Sequence, residues 1–296
     1  MCCDAMESVM EKIQLKAYGK INLGLDVLRK RADGYHDLEM IMQSVGVYDD
    51  VIITKTDAID EIKVETDKMI LSNEKGNLAY MAAKKLFDEF DIHQGINIHI
   101  NKRIPIAGGM AGGSADCAAT LKGVNEMFEL GLSQNELMER GVKLGADVPY
   151  CIMGGTAIAE GIGEVLTPLP TPPKCHVIIA KPPVSVSTAY VYGRMRPDQI
   201  EKRPDTKGLA QAIKDQDLNK MAELIYNVME DVTVGDYPII KEIKELLIEK
   251  GALNSIMSGS GPTVFGLFDD KDKAETAMKA LKERKLTEQL YLTSFV

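Results

Sequence analysis

Between Ile104 and Leu121 the chain reads IPIAGGMAGGSADCAATL, with four glycines in the six positions 108–113 directly before a helix-like segment. Glycine loses more conformational entropy on folding than any other residue, so so dense a cluster is costly without a reason. Two readings fit the residues. One is a flexible connecting loop. The other is an anion cradle, in which glycines let backbone N–H groups approach a phosphate and the following helix points its N-terminus at it. Ser114 stands where it would cap that helix, which carries Ala118, Leu121 and Phe128.

The flanking segments change period along the chain. KINLGLDVL (Lys20 to Leu28) alternates, with Ile21, Leu23, Leu25 and Val27 on one face and Lys20, Asn22, Gly24 and Asp26 on the other. This predicts a half-buried strand that presents Lys20 and Asn22 together. Asp33-Gly34 marks a turn, and DVIITK and EIKVET read as further short strands. From Gly76, Leu78, Ala82, Leu86 and Phe90 recur every four residues, the stripe of an amphipathic helix. INIHI returns to alternation, with His99 on the solvated side and no role assigned to it. SQNE (Ser133 to Glu136) has capping-box spacing and opens a helix expected to end near Gly145. LGADVPYCIMGGTAIAEGIGEVLTP then predicts a turn and two strands.

LPTPPK, residues 169–174, interrupts either kind of regular element with three prolines in four positions. Beyond it, CHVIIAK, NSIMSG, PTVFGLF and LYLTSF read as strands. Helical patterns fall around 207–230, 237–250 and in KAETAMKALKER. Strand, helices, strand, strand, helix, strand is the order of a ferredoxin-like split βαβ unit. The expected fold is α+β in two domains, residues 1–168 and 169–296.

Composition narrows the function classes. A net charge of −9 argues against a broad nucleic-acid or anionic-membrane surface, while leaving room for a local basic pocket. No apolar run approaches the roughly eighteen residues that would span a bilayer. MCCDAMESVMEKIQL lacks the apolar core of a signal peptide, so a cytoplasmic protein is expected, and Met10 is a candidate start because regular patterning begins after it. The five cysteines, Cys2, Cys3, Cys117, Cys151 and Cys175, are odd in number and not at metal-finger spacing. Reduced thiols and the absence of a structural metal are the expectations.

Three phosphate motifs can be set aside. A Walker loop needs Gly-Lys-Ser/Thr, but Gly113 runs into Ser114 without a lysine. Glycines 108, 109, 112 and 113 do not make G-x-G-x-x-G, and the chain has neither HRD nor DFG. The form present is Pro-x-x-x-Gly-x-x-Gly-Gly-Ser opening a helix, and it resembles the phosphate loop of the GHMP small-molecule kinases. Three more segments occur in the order expected for one branch of that family: KINLGLDVLRKRADGYHDLEMIMQSV, LGADVPYCIMGGTAIAEGIGE and MSGSGPTVFGLF. The resemblance runs from about Lys16 to the C-terminus.

It implies an N-terminal nucleotide-binding domain and a ferredoxin-like C-terminal domain on the substrate side. It further implies ATP-dependent phosphorylation of a tertiary alcohol whose far end carries cytidine diphosphate, in isoprenoid precursor biosynthesis, with ATP and Mg²⁺ as cofactors. By motif position, Asp147 is the general base and Lys20 its neighbour, holding Asp147 ionised and stabilising the transferred phosphoryl group. Pro105, Gly108, Gly109, Met110, Ala111, Gly112, Gly113 and Ser114 hold ATP phosphates, with Asn77 and Lys102 near the nucleoside. Asn22 and Asp147 contact substrate. Tyr35, His36, Thr188 and Tyr192 form the cytosine end, and SGSG (Ser258 to Gly261) backs the phosphate loop. The protein ligand of Mg²⁺ is left unassigned, and a monomer or weak homodimer is expected.

Taken singly, the residues read more plainly. Asp147 before Pro149 is a helix N-cap, Lys20 a solvated strand lysine, and Tyr35 a packing residue. Their joint occurrence in matched motifs favours the chemical roles. Two departures stand out: Ala115 replaces a frequent second serine, and Tyr18-Gly19 replaces the usual proline and alanine before the lysine. The alternatives are another small-molecule kinase of this fold, acting on a mevalonate-like, sugar or homoserine alcohol, and a catalytically silent ligand-binding relative.

Overall fold

One long hairpin organises the computed structural model, which describes residues 10–68 and 76–296. Residues 1–9, with Cys2, Cys3 and the question of a start at Met10, lie outside the described residues. Strand β1 (Lys12–Lys30) pairs antiparallel with β2 (His36–Ile59) across the Asp33-Gly34 turn, where Gly34 takes φ 91°. KINLGLDVL is therefore half of a nineteen-residue strand, and DVIITK is part of a twenty-four-residue one. Register shifts between Tyr18 and Lys20, Asn22 and Gly24, and Val27 and Arg29 break the strict two-residue alternation.

Strand β2 is long enough to serve two neighbours. Its distal part, from Asp50 to Ile59, pairs with β4 (Gln94–Asn101), which carries β3 (Ile62–Thr66) beyond it. Its proximal part, from Leu38 to Gln43, pairs with β5 (Thr156–Gly161), and β5 with β6 (Val165–Leu169). Helices α1 (Leu78–Phe90), α2 (Gly112–Met127), α3 (Gln134–Gly141) and α4 (Val148–Met153) complete this half, and Ala82, Leu86, Ala118, Leu121 and Val124 join Ile21, Leu23, Ile41, Val51 and Ile98 in one core.

Several expectations need correction here. KINLGLDVL is buried on both faces: Lys20 and Asp26 are 5% exposed and Asn22 fully buried. The polar face is covered by the second half of the chain, whose Leu209 lies 3.2 Å from where a Cβ on Gly24 would stand, and whose Arg203 bonds Asp26 at 2.6 Å. Helix α3 stops at Gly141, not near Gly145; a Cβ there would come within 2.8 Å of Val148, so α3 and α4 pack too closely for a side chain. Helix α4 replaces the expected turn, with Pro149 in its first turn where a missing N–H costs nothing.

The second half contributes β7 (His176–Lys181), α5 (Thr188–Arg194), α6 (Thr206–Lys214), α7 (Leu218–Leu224), β8 (Tyr226–Asn227), α8 (Glu230–Asp236), α9 (Pro238–Glu249), β9 (Asn254–Met257), β10 (Val264–Phe268), α10 (Lys271–Glu283) and β11 (Gln289–Thr293). The antiparallel order β11-β7-β10-β9 places the strands fourth, first, third, second, as a ferredoxin-like unit requires. The molecule is α+β. The pattern around 207–230 breaks into α6, α7 and β8, because Gln216 adopts φ 58° and Asp217 starts a fresh helix by accepting from Lys220 N. Strand β8 crosses back to pair parallel with β1 through Gly24 and Leu25, and Phe295 bridges Val45 of β2. No helix among the described residues is long and apolar enough to cross a membrane.

Candidate active site

The start of α2 is open. Ala107, Gly109 and Ala111 all adopt positive φ, and the left-handed Ala111 stands in the N-cap position without a side chain capping the helix. Ser114 is thus not the cap. The loop starts the helix three residues earlier than expected, with Ala111 rather than Ser114 at the cap, placing Ser114 inside its first turn. The N–H groups at this end have no capping acceptor, and with the helix dipole they make a site for anionic oxygen.

The four glycines differ in how much room each has, with Gly112 intermediate, a Cβ there standing 3.1 Å from Ile104. A Cβ on Gly109 would stand 2.2 Å from Ser258 O, and one on Gly108 2.7 Å from Thr263 Oγ1. Gly109 is therefore needed for packing against the SGSG turn, and Gly108 against Thr263 just beyond it. Gly113 is open, its nearest neighbour being Leu78 at 3.7 Å. Ser258 Oγ donates to Gly109 O at 3.0 Å, and Asn227 Nδ2 donates to Met257 O and Gly259 O at 2.8 Å each. The glycine loop is held from behind by the second half of the chain.

Lys20 reaches the same carbonyl: its Nζ donates to Gly109 O at 3.3 Å and to Asn22 Oδ1 at 2.7 Å. Asn22 Nδ2 rests against Met40 Sδ at 3.4 Å. Asp147 occupies the N-cap position of α4 without making a cap bond, so its carboxylate is not committed to the helix. Lys20 and Asp147 line one cavity but form no direct ion pair among the described residues. Lys20 is turned toward Asn22 and the loop carbonyl instead.

Two expected nucleotide contacts already have structural partners. Asn77 caps α1, its Oδ1 accepting from Ala79 N at 2.9 Å. Lys102 lies buried between Asp49 and Asp116. Burial alone would lower its pKa, but the two carboxylates outweigh burial and raise it. Asp49 also accepts from the Ile104 N–H at 2.8 Å, tying β2 to the start of the loop. For Asp116, burial, helped by the like charge of Asp49, outweighs Lys102 and pushes the carboxyl up to about 7. Asp116 Oδ1 has no hydrogen-bond partner and the residue lines the cavity. Sequence reasoning missed Asp49 and Asp116; a lysine headed for the interior at Lys102 was the available signal that acids had to be found for it.

At the other end, the turn carries Tyr35, 58% exposed, and β2 opens with His36, 7% exposed. The imidazole stacks on Tyr192 of α5, with centroids 5.1 Å apart and planes 26° from parallel. Burial, with the charge of Lys30 adding to it, lowers the His36 pKa, so the ring is neutral at neutral pH. Burial, with Asp147 adding, raises the Tyr192 hydroxyl. Thr188 and Ser260 share a hydrogen bond of 2.9 Å, joining α5 to the SGSG turn. One cavity of about 1110 Å³ connects Tyr35, His36 and Tyr192 with the glycine loop, passing Lys20 and Asp147. It lies at the upper end of the ~300–1,000 Å³ usual for small-ligand sites.

Comparison with known proteins identifies the family. Residues 77–155 match the family description "GHMP kinases N terminal domain", and residues 209–285 match "GHMP kinases C terminal". A protein of Lachnoclostridium phytofermentans named 4-diphosphocytidyl-2-C-methyl-D-erythritol kinase is 51% identical over 97% of this chain and 98% of its own length. One of the same name from Lachnospira eligens is 48% identical over 96% and 98%. The crystal structure of a 4-(cytidine 5'-diphospho)-2C-methyl-D-erythritol kinase superposes with a TM-score of 0.82 at 28% identity, covering 96% of this chain and 99% of that one. The chain is a small-molecule kinase of the GHMP family, and within it belongs to the branch of the 4-diphosphocytidyl-2-C-methyl-D-erythritol kinases.

Proposed function

We propose that this chain transfers the γ-phosphoryl group of ATP to the 2-hydroxyl of 4-diphosphocytidyl-2-C-methyl-D-erythritol, in the non-mevalonate route to isoprenoid precursors. The observation that carries the reading is the single cavity with an uncapped helix start at one end, a ring pair at the other, and Lys20 and Asp147 between them. The N–H groups around Gly112, Gly113 and Ser114 receive the triphosphate, while Pro105, Met110 and Ala111 shape the loop around it. Asn77 and Lys102 bound the nucleotide end. The neutral imidazole of His36, with Tyr35, Thr188 and Tyr192, receives cytosine. Asn22 orients the sugar alcohol.

Asp147 accepts the proton of the 2-hydroxyl as its oxygen attacks the γ-phosphorus, and ADP leaves. A tertiary alcohol is a weak, crowded nucleophile, so positioning and a nearby base both lower the barrier. Lys20 places positive charge beside Asp147 and the phosphoryl group in flight. Two carboxylates line the cavity, Asp116 and Asp147; Asp116 is engaged by Lys102, and Asp147 makes no cap bond. Mg²⁺ would be held chiefly by the triphosphate and water, with Asp147 the carboxylate in reach of that water, and when bound it offsets triphosphate charge.

The test is ADP release with ATP and Mg²⁺ in the presence of 4-diphosphocytidyl-2-C-methyl-D-erythritol, mevalonate, galactose or homoserine. Turnover confined to the cytidine compound is expected. Turnover with another alcohol would keep the phosphate end and discard the base end. Silence across the panel with ATP still bound would overturn the catalytic reading.

A further inference from the structure

The substrate proposed above carries a diphosphate of its own, and the glycine loop accounts only for that of ATP. The tip of the hairpin supplies a cation not yet used. Arg29, Lys30 and Arg31 are consecutive, and strand alternation sends Arg29 and Lys30 to opposite faces. Arg29 stands directly across from Asp37 and is paired with it. Arg31 is held by Asp33 at 3.0 Å and Asp37 at 3.1 Å.

Lys30 stands directly across from His36, on the face that lines the cavity. Among the described residues no carboxylate lies within ion-pairing distance of its ammonium. Its charge still reaches the ring opposite, adding to burial in lowering the His36 pKa. The hairpin's own acids thus match two of its three bases. The third, solvent-exposed at the rim of the cavity beside the ring pair, is left unmatched. An ammonium so placed is set for an anion covalently attached to whatever the rings hold, because a hydrogen bond between charged partners is roughly twice as strong as a neutral one.

We propose that Lys30 binds the diphosphate of the cytidine-bearing substrate, so that the base end selects a nucleoside diphosphate over the free nucleoside. This rests on the base-end reading given above. A lysine side chain is long enough to pass alongside a ribose, and His36 and Lys30 sit side by side as base and 5′-phosphate do in a nucleotide.

The test is calorimetric titration of the full chain with CDP and with cytidine. A non-hydrolysable ATP analogue and Mg²⁺ are kept saturating, so that the phosphate loop is filled. Wild-type protein is expected to bind CDP at least about ten-fold more tightly than cytidine, the scale of one hydrogen bond to a charged group. In Lys30→Gln that ratio falls to about two-fold or less while cytidine affinity holds, since only a charge facing partial solvent is lost. Lys30→Arg restores the ratio, and Arg29→Gln, on the opposite face, keeps it. An unchanged ratio in Lys30→Gln would overturn the assignment and leave the base end standing. A fall in affinity for the ATP analogue, with the CDP ratio intact, would overturn it in favour of the other polyphosphate. Failure of wild-type protein to bind either cytidine compound, with the ATP analogue still bound, would overturn the base end and this assignment together.

Discussion

A carboxylate can sit at a helix start for two reasons, and Asp147 separates them. Its position is that of an N-cap, the plain reading of GADVP, yet it makes no cap bond and faces the cavity. Asp147→Asn should therefore cost little stability while lowering kcat by about 10²–10⁴-fold, the usual share of a general base. Steady-state ADP release beside calorimetric ATP binding would check both halves; a variant that keeps wild-type turnover would remove Asp147 from the chemistry. Asp116 tests the opposite property. Its folded value of about 7 lies above the ordinary carboxyl value, so the native state holds this proton more tightly than the unfolded chain. Stability on this account is greatest below about pH 4 and declines as pH rises to about 7. Asp116→Asn, which leaves Lys102 with the single charge of Asp49, should gain on the wild type as pH rises. We expect about 1 kcal/mol, or some 2–4 °C in melting temperature, between pH 5 and pH 8 without ligand. A difference that shrinks over that range would refute the assignment. Their place in matched motifs pointed to Lys20 and Asp147, but nothing pointed to the setting of Lys102. Its acids come from β2 and α2, and pairings so distant along the chain leave no local pattern.

Among the elements, the glycine loop and the SGSG turn behave as one unit. Gly109→Ala would force φ +74° on alanine and place its methyl against Ser258 O, so a loss of at least about 2 kcal/mol in urea unfolding is expected. Gly113→Ala, in open space within a helix, should leave stability unchanged or raise it by up to about 1 kcal/mol. Equal losses at both positions would mean that the two glycines do not divide as described. Sequence periodicity revealed α1, and the paired signals of Ser133 and Glu136 revealed α3, because each carries its instruction locally. The same reasoning shortened β1 and β2, since register shifts erase alternation and burial on both faces hides it. It passed over α4 and β8 altogether, as six and two residues are too few to show a period.

For the whole molecule, the order of elements was enough to read the ferredoxin-like sheet, but not how it meets the first one. A single core cluster contains Ile21, Val51 and Leu121 from the first half with Val177, Ile179 and Phe265 from the second. Strand β8 belongs to the first sheet, and the Gly46 N–H bonds Ser294 O at 3.0 Å. With so much shared, the halves should melt together. Calorimetry is expected to show one transition whose van't Hoff and calorimetric enthalpies agree. Two resolved transitions would show that the proline run at 170–173 separates independent units.

The continuity of the cavity has a consequence for the design of inhibitors. Its glycine-loop end and ring end open into the same space with no wall between them. On the proposed reading, a compound joining an adenosine polyphosphate to a cytidine through a short tether would bind its second half intramolecularly. It would do so at an effective concentration of roughly millimolar order, multiplying two modest affinities into avidity without any new contact.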